Sequence, residues 1–232
     1  MDFTIRKAAL SDIDQVVDFT SSTFPWGDYV PRAIYEWVKA GTAYVAVRDN
    51  EVLGVLNMVN MGNDTVWLEG LRIKPNYRRM GIGRALTMYA ISEAKATGAR
   101  YVMLMIAEWN NPSRNLAESM GFRGVLTLHA GVAEPSSVRV VKGNEALNYI
   151  NDALRLTGGY FCTLANHWSC TRANAEYVSS MVNEVYVGWG IGLSQFSVGP
   201  PTTPIESEVL ATEPGAFRNY YGKYTVYELT LG

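Results

Sequence analysis

Residues 71–86, LRIKPNYRRMGIGRAL, combine an apolar strand-like run, a turn with two glycines and the start of a helical pattern. A strand that turns through a glycine-containing loop into a helix leaves backbone N–H groups unpaired at the helix start. These donors, the positive end of the helix dipole and the nearby Arg78 and Arg79 favour an anion, typically a phosphate group. The segment therefore predicts an α/β unit that holds a phosphorylated ligand.

Two common phosphate loops do not fit this segment. The dinucleotide fingerprint GxGxxG needs a third glycine where Leu86 stands, and the Walker A pattern GxxxxGK followed by Ser or Thr is absent. The pattern that remains is RxxGxG, from Arg78 through Gly81 to Gly83.

This pattern resembles the acetyl-CoA pyrophosphate loop of the GNAT superfamily of N-acetyltransferases, whose usual text is V-x-P-x-x-R-G-x-G-I-G-x-x-L. A second segment, NNPSRNLAESMGF at 110–122, is similar to the family's N-E-x-S/A-x-x-x-Y/L-E-K-x-G-F. The two motifs together cover residues 1 to about 125. The matching residues are Ile73, Pro75, Arg78, Gly81, Ile82, Gly83 and Leu86 in the first motif and Asn110, Ser113, Glu118, Gly121 and Phe122 in the second.

The resemblance implies the GNAT fold, an α/β (α+β) arrangement with a mixed central sheet and helices on both faces. We expect a GNAT domain at 1–130 and a C-terminal α+β extension at 131–232, which would cover the acceptor pocket or make a dimer contact. In the extension, the hydrophobic pattern predicts a strand at 136–141, helices at 144–155 and 173–186 and a final strand at 223–231. GWGIGLS at 188–194 lacks the preceding RxxG, which argues against a second complete CoA site.

By the same resemblance, acetyl-CoA is the co-substrate and no metal is involved. The backbone of Leu71, Arg72 and Ile73 would face the pantetheine arm, and Asn110 would sit beside the thioester. The full set implied to bind the donor is Leu71, Arg72, Ile73, Arg78, Arg79, Met80, Gly81, Ile82, Gly83, Arg84, Asn110 and Ser113.

Acyl transfer to an amine needs a base that removes a proton from the amine. Glu69, on the strand entering the loop, is the candidate, and its alternative is a sheet carboxylate paired with Arg72 or another cation. Glu108, at the end of the following strand, is the runner-up. Many family members place a tyrosine as general acid where this chain has Ala117, so that role has no candidate; His129 is a conceivable base but more often structural.

We expect the acceptor amine to bind at the loop PWGDYVP, residues 25–31. There the aromatic rings of Trp26 and Tyr29 could stack against the acceptor, and Asp28 could pair with its charge. A packed aromatic loop is the alternative reading. The motifs thus predict an acetyl-CoA-dependent N-acetyltransferase that acts on a small molecule, a free amino acid or a protein N-terminus or lysine by direct attack in a ternary complex. A non-catalytic acyl-CoA-binding sensor is the alternative.

Composition limits the partners. The 232 residues have a formal charge of -2, which gives no basic field for nucleic acid, and no apolar stretch is long enough to span a membrane. We therefore expect a cytoplasmic protein, a monomer or homodimer that binds a small-molecule or peptide amine. Cys162 and Cys170 could form a disulfide or half of a metal site with His167, but their spacing favours free, partly buried thiols.

Overall fold

The computed structural model describes residues 2–164 and 168–232. The chain divides into two compact units. The first comprises the chain up to Asn60, Val66–Val102 and Leu231, and the second comprises Met61–Thr65, Met103–Thr230 and Gly232. His167, the third member of the possible metal site, lies outside the described residues.

The first unit packs three helices against one sheet. Strands β1 and β2 pair antiparallel, as do β2 and β3, and the strand order is β1-β2-β3-β4. Short 3-10 turns at Leu10–Asp12 and Pro75–Tyr77 precede α1 and α3. The elements are β1 Thr4–Lys7, α1 Ile13–Thr20, α2 Val30–Ala40, β2 Ala43–Arg48, β3 Glu51–Gly62, β4 Thr65–Ile73 and α3 Ile82–Ala96.

Polar turn residues set the register of this sheet. Asp49 and Asn50 join β2 to β3 with φ of 48° and 65°. Asn63 and Asp64 join β3 to β4 with φ of 47° and 56°. Two consecutive positive φ angles match the twist of a two-residue hairpin, and Asn and Asp tolerate them better than other side chains. Both turns therefore have the backbone of a two-residue hairpin connection.

The core of the first unit lies between the helix pair and the sheet. Val16 of α1 and Ile34 of α2 are almost completely buried against Val45 and Val55 of the central strands. Gly41 ends α2 in the left-handed conformation, with φ of 68°. On α3, Leu86, Ala90 and Ala94 are fully buried, which confirms the apolar face expected for that helix.

The second unit contains the remaining strands and helices. β5 starts in the first unit and continues from Met103 in the second. The elements are β5 Tyr101–Ala107, α4 Asn111–Ser119, β6 Arg123–Ala133, β7 Arg139–Val141, α5 Gly143–Leu156, β8 Tyr160–Thr163, β9 Ser169–Arg172, α6 Ala175–Met181, β10 Val185–Val187, β11 Ile191–Leu193, β12 Phe196–Val198, β13 Ser207–Ala211 and β14 Phe217–Thr230.

The main break between the two units falls at residues 102 and 103. The reason is that β14, at the C-terminal end of the chain, pairs with β6 along its whole length, from Phe217↔Ala133 to Glu228↔Arg123. A long ladder between β6 and the final strand places both in one compact unit. This pairing cannot be read from local sequence, because the partners lie about a hundred residues apart.

The C-terminal strands repeat the topology of the first unit. β7, β10, β11 and β12 are antiparallel neighbours in that order, just as β1, β2 and β3 are in the first unit. Two helices, α5 and α6, again fall between the first and second strands, with the β8–β9 hairpin between them. The second unit thus contains a β-α-α-β-β-β order without the loop and helix that follow β4 in the first.

The glycines of GWGIGLS have a packing role in the structure. They form the β10–β11 hairpin and not a strand-to-helix loop. A Cβ on Gly192 would lie 2.1 Å from the backbone oxygen of Thr202, and one on Gly190 would lie 2.6 Å from that of Val198. Close backbone approach therefore explains the glycines.

The structure corrects two further expectations. The helix expected at 173–186 ends at Met181, because Val182 is extended and the β-branched Val185 and Val187 pair in β10. Cys162 and Cys170 are fully buried and form a disulfide, not free thiols. They stand directly opposite each other in the β8–β9 ladder, a proximity that the sequence spacing did not reveal.

No helix in the described part of the chain is long and apolar enough to cross a membrane.

Candidate active site

The loop from β4 to α3 presents the start of a helix without a side-chain cap. Gly81 is the N-cap residue, with φ of 81°, and it has no side chain that could cap the first turn. A Cβ added to Gly81 would meet no atom within 4 Å, so the space before the helix is open. The backbone N–H groups of this first turn are consequently donors for an anion.

Two exposed arginines lie directly before this helix. Arg78 donates from Nε to the backbone oxygen of Ile73 at 3.3 Å, which leaves most of its guanidinium for another partner. Arg79 holds a left-handed backbone, with φ of 62°. Among the described residues, neither side chain forms an ion pair with a carboxylate, in contrast to Lys74, whose Nζ lies 2.6 Å from Oε1 of Glu51. The loop therefore fits the charge and shape of a pyrophosphate.

Strand β4 carries an irregularity beside Glu69. Gly70 has φ of 65°, and a Cβ at this position would lie 2.5 Å from Cη2 of Trp37. A glycine in the left-handed region within a strand is typical of a bulge, which redirects the neighbouring side chain. The residue that precedes the bulge is Glu69.

Glu69 has the electrostatic properties of a base that works near neutral pH. Burial raises the pKa of its carboxyl to about 7, against the opposing effect of a hydrogen bond from Asn57. Nδ2 of Asn57 lies 2.8 Å from Oε1 of Glu69. The other oxygen, Oε2, is buried and has no hydrogen-bond partner in the described part of the chain. A partly protonated carboxylate with one uncommitted oxygen can accept a proton from a bound group.

Arg72 does not neutralise Glu69, because it is paired with Asp28. The Arg72 Nε and Nη2 atoms lie 2.6 Å and 3.0 Å from the two carboxylate oxygens of Asp28. The Asp28 side chain is 0% exposed. The expectation that Asp28 pairs with an acceptor amine is therefore corrected: its carboxylate is enclosed and engaged by an internal cation.

The aromatic residues of the 25–31 loop divide into two groups. Tyr29 is partly buried, and its ring packs edge-on against Trp37 with centroids 6.0 Å apart. Burial and the charge of Glu69 raise the pKa of the Tyr29 phenol, so it stays neutral. Trp26, by contrast, is 71% exposed and stacks on Phe24 with centroids 5.4 Å apart. Trp26 is thus the member of the expected acceptor set with a face toward solvent.

In the second unit, Asn110 is the N-cap of α4, and its Oδ1 accepts a hydrogen bond from the N–H of Ser113 at 3.3 Å. The cap of α4 is therefore Asn110. Gly121, with φ of 90°, follows the end of the helix, and Phe122 is 2% exposed. Ala117 is buried on the same helix, so no hydroxyl occupies that position.

Glu108, the second candidate base, is a solvated strand-end carboxylate. Its Oε1 lies 3.0 Å from Nζ of Lys223, and its side chain is 59% exposed. His129 lies near the same pair, and its Nδ1 is 2.8 Å from the hydroxyl oxygen of Tyr220. Burial and the charge of Lys223 lower the pKa of His129. An exposed ion pair gives Glu108 no feature of a tuned base.

Sequence reasoning overlooked Asn57. Asn57 is 0% exposed in β3, and the other residues of the buried run from Val52 to Leu56 are apolar or glycine. A single amide within such a run was the available signal, because a buried polar side chain needs a partner. No group of three or more His, Cys, Asp or Glu residues that could hold a metal ion is present in the described ranges.

Comparison with known proteins agrees with this geometry. The family model described as the acetyltransferase (GNAT) family matches residues 13–122. An N-alpha-acetyltransferase of Sulfurisphaera tokodaii is 28% identical over 141 residues, which cover 55% of this chain and 84% of that protein. A histidine N-acetyltransferase of Xenopus tropicalis is 28% identical over 97 residues, 40% of this chain and 30% of that protein.

Solved structures show the same fold. A Thermoplasma acidophilum protein, provisionally named an acetyltransferase, superposes with a TM-score of 0.63 at 18% identity and covers 98% of this chain and 100% of its own. Ard1 of Thermoplasma volcanium superposes with a TM-score of 0.51 at 19% identity, over 55% of this chain and 87% of its own. The first match extends through the C-terminal strands as well. With its mixed α+β architecture and its matched residues 13–122, the chain carries an acetyltransferase domain of the GNAT family.

Proposed function

We propose that this protein is an acetyl-CoA-dependent N-acetyltransferase that acetylates a primary amine by direct attack in a ternary complex. The observation that carries the proposal is Glu69, a carboxyl with a pKa of about 7 and one buried oxygen without a partner among the described residues. It stands on the strand that leads into the open, arginine-flanked start of α3. A donor site and a base are thus on consecutive segments of one strand-loop-helix unit.

The donor would be held by the β4–α3 loop. Backbone N–H groups at the start of α3 and the guanidinium groups of Arg78 and Arg79 supply donors and positive charge for a pyrophosphate. Arg84, Met80, Ile82 and Gly83 belong to the same loop and first turn. When bound, acetyl-CoA supplies the acetyl group as a thioester.

Glu69 would remove a proton from the amine. An ammonium group cannot attack a thioester, since its lone pair is bound to a proton. Once Oε2 of Glu69 has taken that proton, the nitrogen forms a C–N bond to the acetyl carbon, releases a second proton to solvent, and the C–S bond breaks. The leaving thiolate takes a proton from solvent, because Ala117 occupies the position where other family members supply a phenol.

The acceptor is proposed to be a free amino group. One relative named above is an N-alpha-acetyltransferase and the other a histidine N-acetyltransferase by name, and Trp26 offers an exposed ring to an acceptor. Asp28 and Tyr29 support this region indirectly, because they hold Arg72 and pack beneath the loop.

An acceptor panel tests the proposal. Short peptides with free amino termini, the same peptides with blocked termini, free histidine and free lysine are incubated with acetyl-CoA. Thiol release and the mass of the product are followed. We expect turnover on at least one free amine and a loss of about 100-fold or more in kcat/KM for Glu69→Gln. Glu108→Gln is the matched control and should keep its activity. Binding of CoA without turnover on any amine would favour the acyl-CoA sensor.

A further inference from the structure

Asn57 forms a buried pair with Glu69. It lies on β3, and its side chain is completely enclosed. Its Nδ2 donates to Oε1 of Glu69 at 2.8 Å. If the Asn57 amide were flipped, its Oδ1 would face Oε1 of Glu69, and both of these atoms are acceptors. The carboxylate therefore fixes the orientation of the amide.

The pair leaves two acceptors unsatisfied. Oδ1 of Asn57 and Oε2 of Glu69 are both buried and have no hydrogen-bond partner in the described part of the chain. Buried polar atoms in native proteins nearly always have partners. Two orphan acceptors on one hydrogen-bonded pair therefore indicate a ligand or water that brings N–H or O–H donors.

The neighbouring charges do not satisfy these acceptors. The nearby cation, Arg72, gives two of its donors to Asp28 and a third, from Nη1, to the backbone oxygen of Leu71 at 3.1 Å. Neither acceptor has a partner among the described residues, so a bound ligand or water can supply the donors.

We propose that Asn57 is the positioning residue of the general base: it holds Oε1 of Glu69, directs Oε2 to the acceptor and offers Oδ1 as a second acceptor to the same amine. This inference rests on the proposed function. It also accounts for a preference for amines. After Glu69 has taken one proton, a primary amine still has N–H groups for Oδ1, whereas a hydroxyl has none.

The test compares pH profiles of kcat/KM for the wild type and Asn57→Leu with the best peptide from the acceptor panel. Wild-type activity should rise with pH through about 7, the pKa of Glu69. Loss of the hydrogen bond raises that pKa, so the rise should move up by ~1 pH unit, and kcat should largely recover at high pH. The KM for the peptide should rise several-fold, since one of its partners is lost.

Thr65→Val is the control, because Thr65 is also a buried polar residue but contacts Asn63. Its profile should match the wild type. Asn57→Ser serves as a second variant if Asn57→Leu folds poorly, since the shorter hydroxyl cannot keep the contact with Oε1. If the pH profile of kcat/KM keeps the wild-type midpoint in both Asn57 variants, the proposed positioning role of Asn57 is overturned. Full activity of Glu69→Gln would instead overturn the assignment of the base itself, so the two failures are distinguishable.

Discussion

Arg72 on β4 and Asp28 in the loop before α2 form a two-point ion pair, with N–O distances of 2.6 Å and 3.0 Å, in which the carboxylate is fully enclosed. The guanidinium also lies over the rings of Phe24 and Tyr29, at 5.0 Å and 5.6 Å from their centroids. In this arrangement the positive charge of Arg72 is neutralised by Asp28. Arg72 therefore does not counteract the burial that raises the pKa of Glu69.

We expect Arg72→Ala to destabilise the protein by about 3 kcal/mol, because removal of one partner leaves a buried charge uncompensated. Urea denaturation measures the effect. The control is Arg218→Ala, which breaks the exposed pair of Arg218 and Glu206 and should cost less than about 1 kcal/mol. Equal losses in the two variants would show that the Asp28 pair is not shielded from solvent.

Glu69 should make stability depend on pH. Folding raises the pKa of its carboxyl from 4.5 to about 7, so the native state binds this proton more tightly than the unfolded state does. The contribution of Glu69 to stability therefore falls as pH rises from about 4.5 to about 7 and stays low above that.

Glu69→Gln removes this dependence. We expect it to be more stable than the wild type by roughly 1–3 kcal/mol at about pH 8, with a smaller difference at about pH 5. Chemical denaturation at both pH values measures it, with Glu108→Gln as the exposed control. If the wild type were more stable than Glu69→Gln at about pH 8, that result would contradict the burial of an unpaired carboxyl at Glu69.

Gly83→Asp should abolish binding of CoA without unfolding the protein. An acidic side chain in the first turn of α3 is favourable for the helix but repels a pyrophosphate at the same place. We expect affinity for CoA to fall by ~100-fold or more, measured by calorimetry. Ser92→Asp adds the same charge to an exposed position further along α3 and should bind normally. If Gly83→Asp binds CoA with unchanged affinity, the assignment of the phosphate site to this loop is wrong.

Gly70→Ala should destabilise the protein more than Gly81→Ala. Both glycines have positive φ, 65° and 81°, so both substitutions strain the backbone by about 1 kcal/mol. Only at Gly70 does the new Cβ also collide with Trp37, whereas the space at Gly81 is open. Overpacking adds about 1–3 kcal/mol, so thermal or urea unfolding should separate the two variants. Similar losses would mean that Trp37 moves aside easily.

The sequence predicted elements well where the signal was local. The two-residue turns at Asp49–Asn50 and Asn63–Asp64 and the stop at Gly41 depend on the conformational preferences of those residues alone. The helix expected at 173–186 was wrong in its second half because strand pairing of Val185 and Val187 outweighed the helical pattern. Free thiols were preferred over a disulfide for a similar reason, since only the register of β8 and β9 brings the cysteines together.

The sequence by itself predicted a phosphate site for the donor, since a strand, an RxxGxG loop and a helix start are consecutive and carry their chemistry in local backbone geometry. It also pointed to Glu69 as a carboxylate on that strand. Only the tertiary structure decided what that carboxylate can do. Its pKa depends on burial, on the contact from Asn57 on β3 and on the capture of Arg72 by Asp28, and such long-range contacts exist only after the chain has folded.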